Sequence, residues 1–331
     1  MAPMVMAMMR FNQVQPGLEP KEMASRYQAT LDLAEYGERH GFSIVTLEEH
    51  HGAPDGWSPS PLITAGAIFG RTKTTAVTIS ALLVPLHDPM RIAEDIAVLD
   101  LLSGGRLTVI AGLGYRPSEY AAHRKSWADR GALMDEAVDT MLKAWTGEPF
   151  EYHGTTVQVT PRPVTQPHPT LLIGGTAKVS ARRAARFGLP LMTAANLPEL
   201  EAYYYEQCAA QGTQGFCIMP PQHMSHIHVS EDPDKAWAEL GGFFLHEATT
   251  YAGWQTPDIK SSVHSHATTV DELRAEGIYT ILTPEQTVEK ARAAGESFGG
   301  LSLHPLVGGM PIDEAWRSVT LCAEQVIPKL P

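Results

Sequence analysis

Glu48, Glu49, His50 and His51 stand in a row at the end of the apolar run FSIVTL, and Gly52, Pro54 and Gly56 follow them. Two carboxylates and two imidazoles can build a metal site, an acid–base site or only a solvated strand end. An imidazole titrates near about 6.5, so it takes or gives a proton at neutral pH. Neighbouring side chains on a strand point to opposite faces, so His50 and His51 cannot easily share one metal ion. The spacing favours acid–base work by one of them, with Glu49 beside it.

Other strand ends carry weaker signals. SHIHV sets His226 and His228 on one face of a strand. Such a pair can bind metal, but no acidic partner accompanies it, and packed histidines or a polar pocket wall fit better. Gly174, Gly175 and Thr176 join a strand to a helix that carries Ser180. Glycines let a ligand approach the backbone, and the free N–H groups of a helix start favour an anion. A plain strand-to-helix turn is the alternative. GLGYRPSEY (112–120) lacks the third glycine of a dinucleotide fingerprint, and Pro117 interrupts the helix that should follow. It reads as a loop over a ligand carrying Tyr115, Arg116 and Glu119, or as a solvated loop in which Arg116 and Glu119 pair. His304 lies at the last strand end, in LHPLVGG.

These residues need a scaffold. Apolar runs predict strands at 5–11, 42–47, 76–84, 106–112, 171–173, 191–194, 224–229 and 301–306. Amphipathic stretches between them predict helices, among them 21–40, 59–70, 89–102, 131–145, 178–187, 197–210, 234–246, 283–294 and 312–326. Ser58 or Ser60 caps the second of these, Asp88 with Pro89 opens the third, and Thr283 with Pro284 opens the 283–294 helix. Residues 151–160 read as a hairpin outside the main sheet, and 251–277 as an irregular insertion. Eight strand–helix units at this length favour a closed (β/α)8 TIM barrel, read as one domain over 1–331 with insertions at about 115–129, 149–168 and 249–280. In such a barrel the strand C-termini converge on the active site.

The chain has 331 residues, 44% hydrophobic and 19% charged, which suits a globular protein with a large core. Its net charge of −12 argues against nucleic-acid binding. No apolar run reaches the roughly 18 residues a membrane span needs, and MAPMVMAMMRF reads as a core strand rather than a signal peptide. Three cysteines without a C-x-x-C imply neither a disulfide framework nor a zinc ribbon, and a cytoplasmic setting is expected.

Taken in order, GFSIVTLEEHH, SPSPL, LLVPLHDPMRIAEDIAVLDLLSGGRL, GLGYRPSEY, QPHPTLLIGGTAKVSARRAARFGLP and TPEQTVEKA resemble the bacterial luciferase-like superfamily of flavin-dependent oxidoreductases. The block 82–119 matches in both order and spacing. The resemblance implies a (β/α)8 barrel holding FMN, or a deazaflavin coenzyme, as a dissociable co-substrate at its mouth. The cofactor phosphate would rest on Gly174, Gly175, Thr176 and Ser180. The isoalloxazine would lie across the third strand end, where members hold a non-proline cis peptide; Ser80–Ala81 is the matching step. Leu113, Tyr115 and Arg116 would flank it. Luciferase proper carries an arginine where this chain has Leu113, so Arg116 or backbone donors would replace that contact. His50 matches the catalytic histidine, with Glu48 and Glu49 tuning the imidazoles. Glu49, His51, His226 and His304 would line the substrate pocket.

The implied function is a monooxygenase that uses reduced FMN and oxygen on a small organic substrate. A separate flavin reductase and a homodimer go with it. A deazaflavin-dependent hydride-transfer enzyme is the alternative within the superfamily. A metal-dependent barrel hydrolase using His50 or His51 with His226 and His228, and a flavin-binding protein without turnover, are the alternatives outside that chemistry.

Overall fold

Ten parallel strands form the main sheet of the computed structural model, which describes residues 5–221, 225–255, 260–295 and 300–330. The strands in chain order are β1 (Ala7–Phe11), β2 (Phe42–Leu47), β3 (Ala76–Leu82), β4 (Leu107–Ala111), the hairpin β5 (Phe150–Tyr152) and β6 (Thr155–Val157), β7 (Thr170–Gly174), β8 (Leu191–Met192), β9 (Cys217–Ile218), β10 (His226–Val229), β11 (Tyr279–Leu282) and β12 (Leu301–Leu303). The main sheet runs β11-β10-β12-β1-β2-β3-β4-β7-β8-β9, and the hairpin stands apart from it. The parallel strands with their crossover helices make a (β/α)8 barrel.

Three sequence expectations need correction. The sheet has ten strands where eight were expected, because β9 beside β8 and β11 beside β10 were not anticipated. Both are short; β11 runs straight into the capped helix Pro284–Ala294, which masks it as a helix approach. The stretch 251–277 is not irregular throughout. The helix expected to stop at His246 runs from Pro233 to Trp254, and a second helix, Val270–Glu276, starts from a Thr269–Glu272 capping box. Ser60 is the N-cap of helix Pro61–Arg71, but its side chain makes no capping bond. Met224, expected in the seventh strand, lies outside the described residues.

Branched residues of the strands bury against the helix layer. Val45, Val77, Ile79 and Val109 share one apolar cluster with Leu33, Ile68, Ile92 and Val138, each full burial being worth about 1.5–3 kcal/mol. A second cluster joins Trp237, Leu240 and Phe244 of helix Pro233–Trp254 to Leu273, Tyr279, Ile281, Val307 and Met310. It holds that helix against the last strands. The buried Arg26 guanidinium closes the barrel beneath the rim, donating to the carbonyls of Val14 (2.7 Å), Leu306 (3.2 Å) and Met310 (3.0 Å).

At the other end of helix Pro20–Arg39, the Glu38 carboxylate accepts from the backbone N–H groups of Lys73, Thr74 and Thr75 and from the Thr74 hydroxyl. Burial works to raise its pKa, but these donors outweigh burial and take it from 4.5 to about 2. A lowered carboxylate pKa stabilises the fold above its unfolded value, and the benefit fades as pH falls toward the folded one. Glu38→Gln is therefore expected to lower Tm at pH 7 by about 2–4 °C. In thermal melts at successive pH values, the gap to wild type should close between pH 4.5 and about 2. A constant gap would show that the charge is not what matters.

Candidate functional site

β2 delivers Glu48 to His51 to the mouth of the barrel, and the four side chains go to different partners. His50 and His51 turn to different carboxylates. His50 is 6% exposed. Its Nδ1 lies 2.9 Å from Glu119 Oε1, and its Nε2 lies 3.0 Å from the Tyr115 hydroxyl. An ionised carboxylate only accepts, so Nδ1 carries the proton and Nε2 presents its lone pair to the Tyr115 O–H. Burial pushes the Glu119 carboxyl up, but His50, the His51 backbone N–H and Arg116 more than offset this and hold it below the ordinary range. Burial, with Tyr251, Glu48 and Glu119 nearby, holds the Tyr115 phenol well above its ordinary value, so it stays protonated. The result is a carboxylate–imidazole–phenol chain.

Glu119 Oε1 also accepts from the His51 backbone N–H at 2.9 Å and from Arg116 Nη1 at 3.0 Å. Arg116 donates to the His51 carbonyl at 3.1 Å and stacks over the Trp254 ring at 4.2 Å. Sequence reasoning raised the Arg116–Glu119 pair only as a surface alternative; here the pair orients the histidine. The rings of Trp57, Tyr115, Tyr251 and Trp254 surround His50, with centroids 5.6, 5.4, 6.5 and 4.9 Å away. Helix Pro233–Trp254 reaches the mouth because it runs two turns past its expected end.

Glu49 has a different task. Its Oε1 accepts from His51 Nε2 at 3.0 Å and His87 Nε2 at 2.7 Å, and its other oxygen accepts from the Leu83 backbone N–H. Burial opposes its charge, yet these donors bring its pKa down to about 2. Glu49 thus ties the end of β2 to the segment after β3. Within β3, just before that segment, lies Ser80–Ala81, whose peptide bond is cis. A Cβ on Gly112 would sit 2.6 Å from Ala81 Cβ, so glycine lets the end of β4 lie against this step. Leu113 follows, its carbonyl accepting from the Tyr120 hydroxyl.

Glu48 corrects another expectation: it tunes no imidazole but pairs with Arg10 and accepts from Trp57 Nε1 at 3.2 Å. Arg10 reaches Glu247 at 3.0 Å and His226 Nε2 at 3.1 Å. Glu247 also accepts from Asn12, Tyr279 and the Gly308 N–H. Burial works against the Arg10 charge, but Glu48 and Glu247 more than restore it. Burial and then Arg10 depress His226, leaving it neutral. His304 Nε2 lies 3.0 Å from Glu247 Oε1 but out of line for a hydrogen bond. The structure places His226 and His304, each 2% exposed, inside this buried network beneath the rings. His228 packs on Phe244, and burial lowers its pKa to about 4. Among the described residues, no three His, Cys, Asp or Glu side chains are arranged to hold a metal ion. None of the helices described is long and apolar enough to cross a membrane.

Across the rim, β7 ends in Gly174, and Gly175 takes φ +150°. A Cβ on Gly175 would meet Ser180 Oγ at 2.2 Å, so only glycine permits this turn. Helix Lys178–Phe187 follows with Ala177 at its N-cap, no capping side chain and no acidic residue in its first turn. Of its leading N–H groups, that of Ser180 bonds to the Ala177 carbonyl at 2.9 Å, while those of Lys178 and Val179 have no capping side chain beside the half-buried Thr176.

The sequence pattern of the family described as luciferase-like monooxygenase matches residues 4–300. The chain belongs to that family. This luciferase-like chain is 25% identical over 288 residues to the alkanal monooxygenase beta chain of Vibrio harveyi, covering 82% of this chain and 84% of that one. It spans about half the length of two other curated relatives, the uncharacterized proteins y4wF and y4vJ of Sinorhizobium fredii, at 34% and 28% identity. Monooxygenase RslO1 from Streptomyces bottropensis superposes with a TM-score of 0.76 at 26% identity, over 98% of this chain and 99% of that one. Two further structures share the fold at lower identity. One is the oxygenating constituent of 3,6-diketocamphane monooxygenase of Pseudomonas putida in complex with FMN (17% identity, TM-score 0.72, 100% of this chain and 99% of that one). The other is an F420-dependent secondary alcohol dehydrogenase with an F420-acetone adduct (18%, TM-score 0.67, 100% of both chains).

Several residues at the luciferase-like mouth escaped sequence reasoning. Glu119 was named but given no role, and Trp57, Tyr251, Trp254, His87, Arg10 and Glu247 were not singled out. The one local signal was a carboxylate three residues after Arg116; where a loop was expected, Pro117 opens a short helix, Pro117–Ala122, that carries Glu119.

Proposed function

We propose that the protein is a flavin-dependent monooxygenase acting on a small organic substrate with reduced FMN and oxygen, the reduced flavin coming from a separate reductase. The observation that carries the reading is the Glu119–His50–Tyr115 chain, set at the mouth of a luciferase-like barrel. The names of the Vibrio and Streptomyces relatives support it. Localisation in the cytoplasm and a homodimer belong to the same proposal.

The residues present suit a flavin phosphate. The uncapped start of helix Lys178–Phe187, behind Gly174 and Gly175 and beside Thr176 and Ser180, is a donor set for an anion. Bound reduced flavin supplies the oxidising chemistry with oxygen. The chain's part is to orient, exclude water and move a proton. Glu119 fixes the proton of His50 on Nδ1, so Nε2 is the basic atom at the mouth. Trp57, Tyr251 and Trp254 close over it and keep water away. Glu119 is a positioning residue in this scheme. Glu119→Gln is expected to cut kcat by about 10- to 100-fold and to shift the acid limb of the kcat–pH profile to lower pH, with flavin affinity unchanged. An unshifted profile would make Glu119 merely structural.

A second reading, hydride transfer with a deazaflavin, is favoured by one observation. Leu113 offers no cation, and Arg116 is committed to Glu119, the His51 carbonyl and Trp254. Rapid mixing of photoreduced FMN with aerated buffer separates the two. Under the monooxygenase reading, the protein delays the return of oxidised-flavin absorbance and binds FMN more tightly than F420. Return at the protein-free rate, with tighter F420 binding, would decide for hydride transfer.

A further inference from the structure

We propose that the strap 53–57 is a gate over His50, held shut against helix Pro233–Trp254 by the Asp55–His246 pair and opened when that pair parts. The gate deepens the reading above by regulating its site, and rests on it only for what His50 does once uncovered.

His50 is shut away as the protein stands. It is 6% exposed, and Trp57 is 1% exposed. The ring centroids of Trp57 and Trp254 lie 5.6 and 4.9 Å from that of His50 and 4.9 Å from each other, so the three rings are in contact. Nε2 is taken by the Tyr115 hydroxyl. A molecule that reacts at this imidazole has to displace part of the cap first. The cap has two halves. Trp57 belongs to the strap after β2, and Tyr251 and Trp254 belong to the end of helix Pro233–Trp254.

Among the described residues, one hydrogen bond joins the two halves: Asp55 Oδ2 accepts from His246 Nε2 at 2.9 Å. Asp55 is 4% exposed, and its Oδ1 is buried without a partner among those residues. A buried carboxylate that loses its cation is left uncompensated and is driven toward water. The strap is built to swing. Ser58 is its fixed end, donating to the Asn12 carbonyl at 2.7 Å and accepting from the His50 N–H at 3.0 Å. Gly52 is its pivot, with φ +61° and no atom within 4 Å of an added Cβ. Swinging out breaks the Gln15 N–H bond to the Asp55 carbonyl (2.7 Å) and the Trp57 Nε1 bond to Glu48 (3.2 Å).

The pair gives the gate a pH response. The charged groups that face His246 are Asp55 from the strap and Glu247 on its own helix, and both favour the imidazolium. The bond to Asp55 is the main cause that raises the His246 pKa above 6.5. A raised pKa stabilises the closed form fully below the ordinary imidazole value, and that benefit is lost as pH rises through the raised one. Acid closes the gate and alkali opens it.

Residue-resolved hydrogen exchange, corrected for intrinsic rates, tests this on the wild-type protein. The Gln15 amide is expected to lose protection about tenfold between about pH 6 and about pH 9, while the Ser58 amide keeps its own. His246→Gln should leave Gln15 unprotected at both pH values. In that variant diethyl pyrocarbonate, followed by peptide mass spectrometry, should modify His50 about tenfold faster relative to His153, whose side chain is 70% exposed. Adding Asp55→Asn removes the stranded charge and should restore most of the closure. Protection of Gln15 that ignores pH, equal losses at Gln15 and Ser58, or wild-type His50 reactivity in His246→Gln would each overturn the gate. None of these readouts needs flavin, and FMN titration of the same samples keeps the two readings apart. A working gate without FMN binding sinks the flavin reading alone, and FMN binding without a gate sinks this inference alone.

Discussion

His50→Ala is expected to lower kcat by about 10²- to 10⁴-fold, the range for loss of a positioned acid–base group, while changing the Kd for FMN less than about threefold. The separation follows from geometry. The imidazole bonds to Glu119 and Tyr115 and touches neither the Gly174–Ser180 turn nor the Ser80–Ala81 step through a hydrogen bond. Folding should survive, because Glu119 keeps the His51 N–H and Arg116 as partners and is not left as an orphan charge. Steady-state turnover with an added reductase, together with flavin fluorescence titration, reads both quantities. Added imidazole should restore part of the lost rate, since the vacated space stays lined by aromatic rings. Wild-type turnover in His50→Ala would remove this histidine from the chemistry. Equal losses in kcat and FMN affinity would make it a flavin ligand instead.

Gly308→Ala is expected to be the most damaging glycine-to-alanine change among the described residues. Gly308 has φ +55°, and a Cβ there would lie 1.8 Å from the Phe243 carbonyl oxygen and 2.8 Å from its carbon. Those are backbone atoms of helix Pro233–Trp254, so no side chain can swing clear and the helix must move. Its movement would stretch the Gly308 N–H bond to Glu247, now 3.2 Å, and disturb the Arg10 pairing behind it. The left-handed conformation alone costs an alanine about 1 kcal/mol, and a clash of this kind adds several more. Gly277→Ala is the control: its φ is +73°, with no atom within 4 Å of the added carbon. Urea unfolding should show a loss of about 1 kcal/mol for Gly277→Ala and about 4 kcal/mol or more for Gly308→Ala. Equal losses would mean that the helix is not pressed on Gly308.

The parts of the site that were legible in the sequence are those built within one strand end. Glu48 to His51 announce themselves as charges that close an apolar run, and Gly174 to Ser180 as glycines that open a helix. The Ser80–Ala81 step carries no local chemical mark and was placed only through family resemblance. Glu119 could not be read because its meaning is a contact across 69 residues. Trp57, Tyr251 and Trp254 come from two distant segments and matter only where they meet. Helix Pro233–Trp254 outran its expectation because Phe244 and Ala248 continue its buried face into the second core cluster, and tertiary packing overrides a stretch rich in threonine and glycine. The strand β11 is four residues long, too few for alternation to show. The Glu48 reading failed for a related reason: its partner, Arg10, lies on the neighbouring strand, and pairing across a sheet cannot be seen along one.

The helix from Pro233 to Trp254 divides its labour along its length. Glu247 anchors it in the barrel interior, while Tyr251 and Trp254, one and two turns later, reach the rings around His50. Glu119, on the short helix Pro117–Ala122, and His50, just after β2, which handle the proton in the proposed function, are carried by other segments. Residues 249–254 are therefore a natural cassette for protein engineering. Exchanging them would redraw the ring wall around His50, with the Glu247 anchor and the barrel left in place.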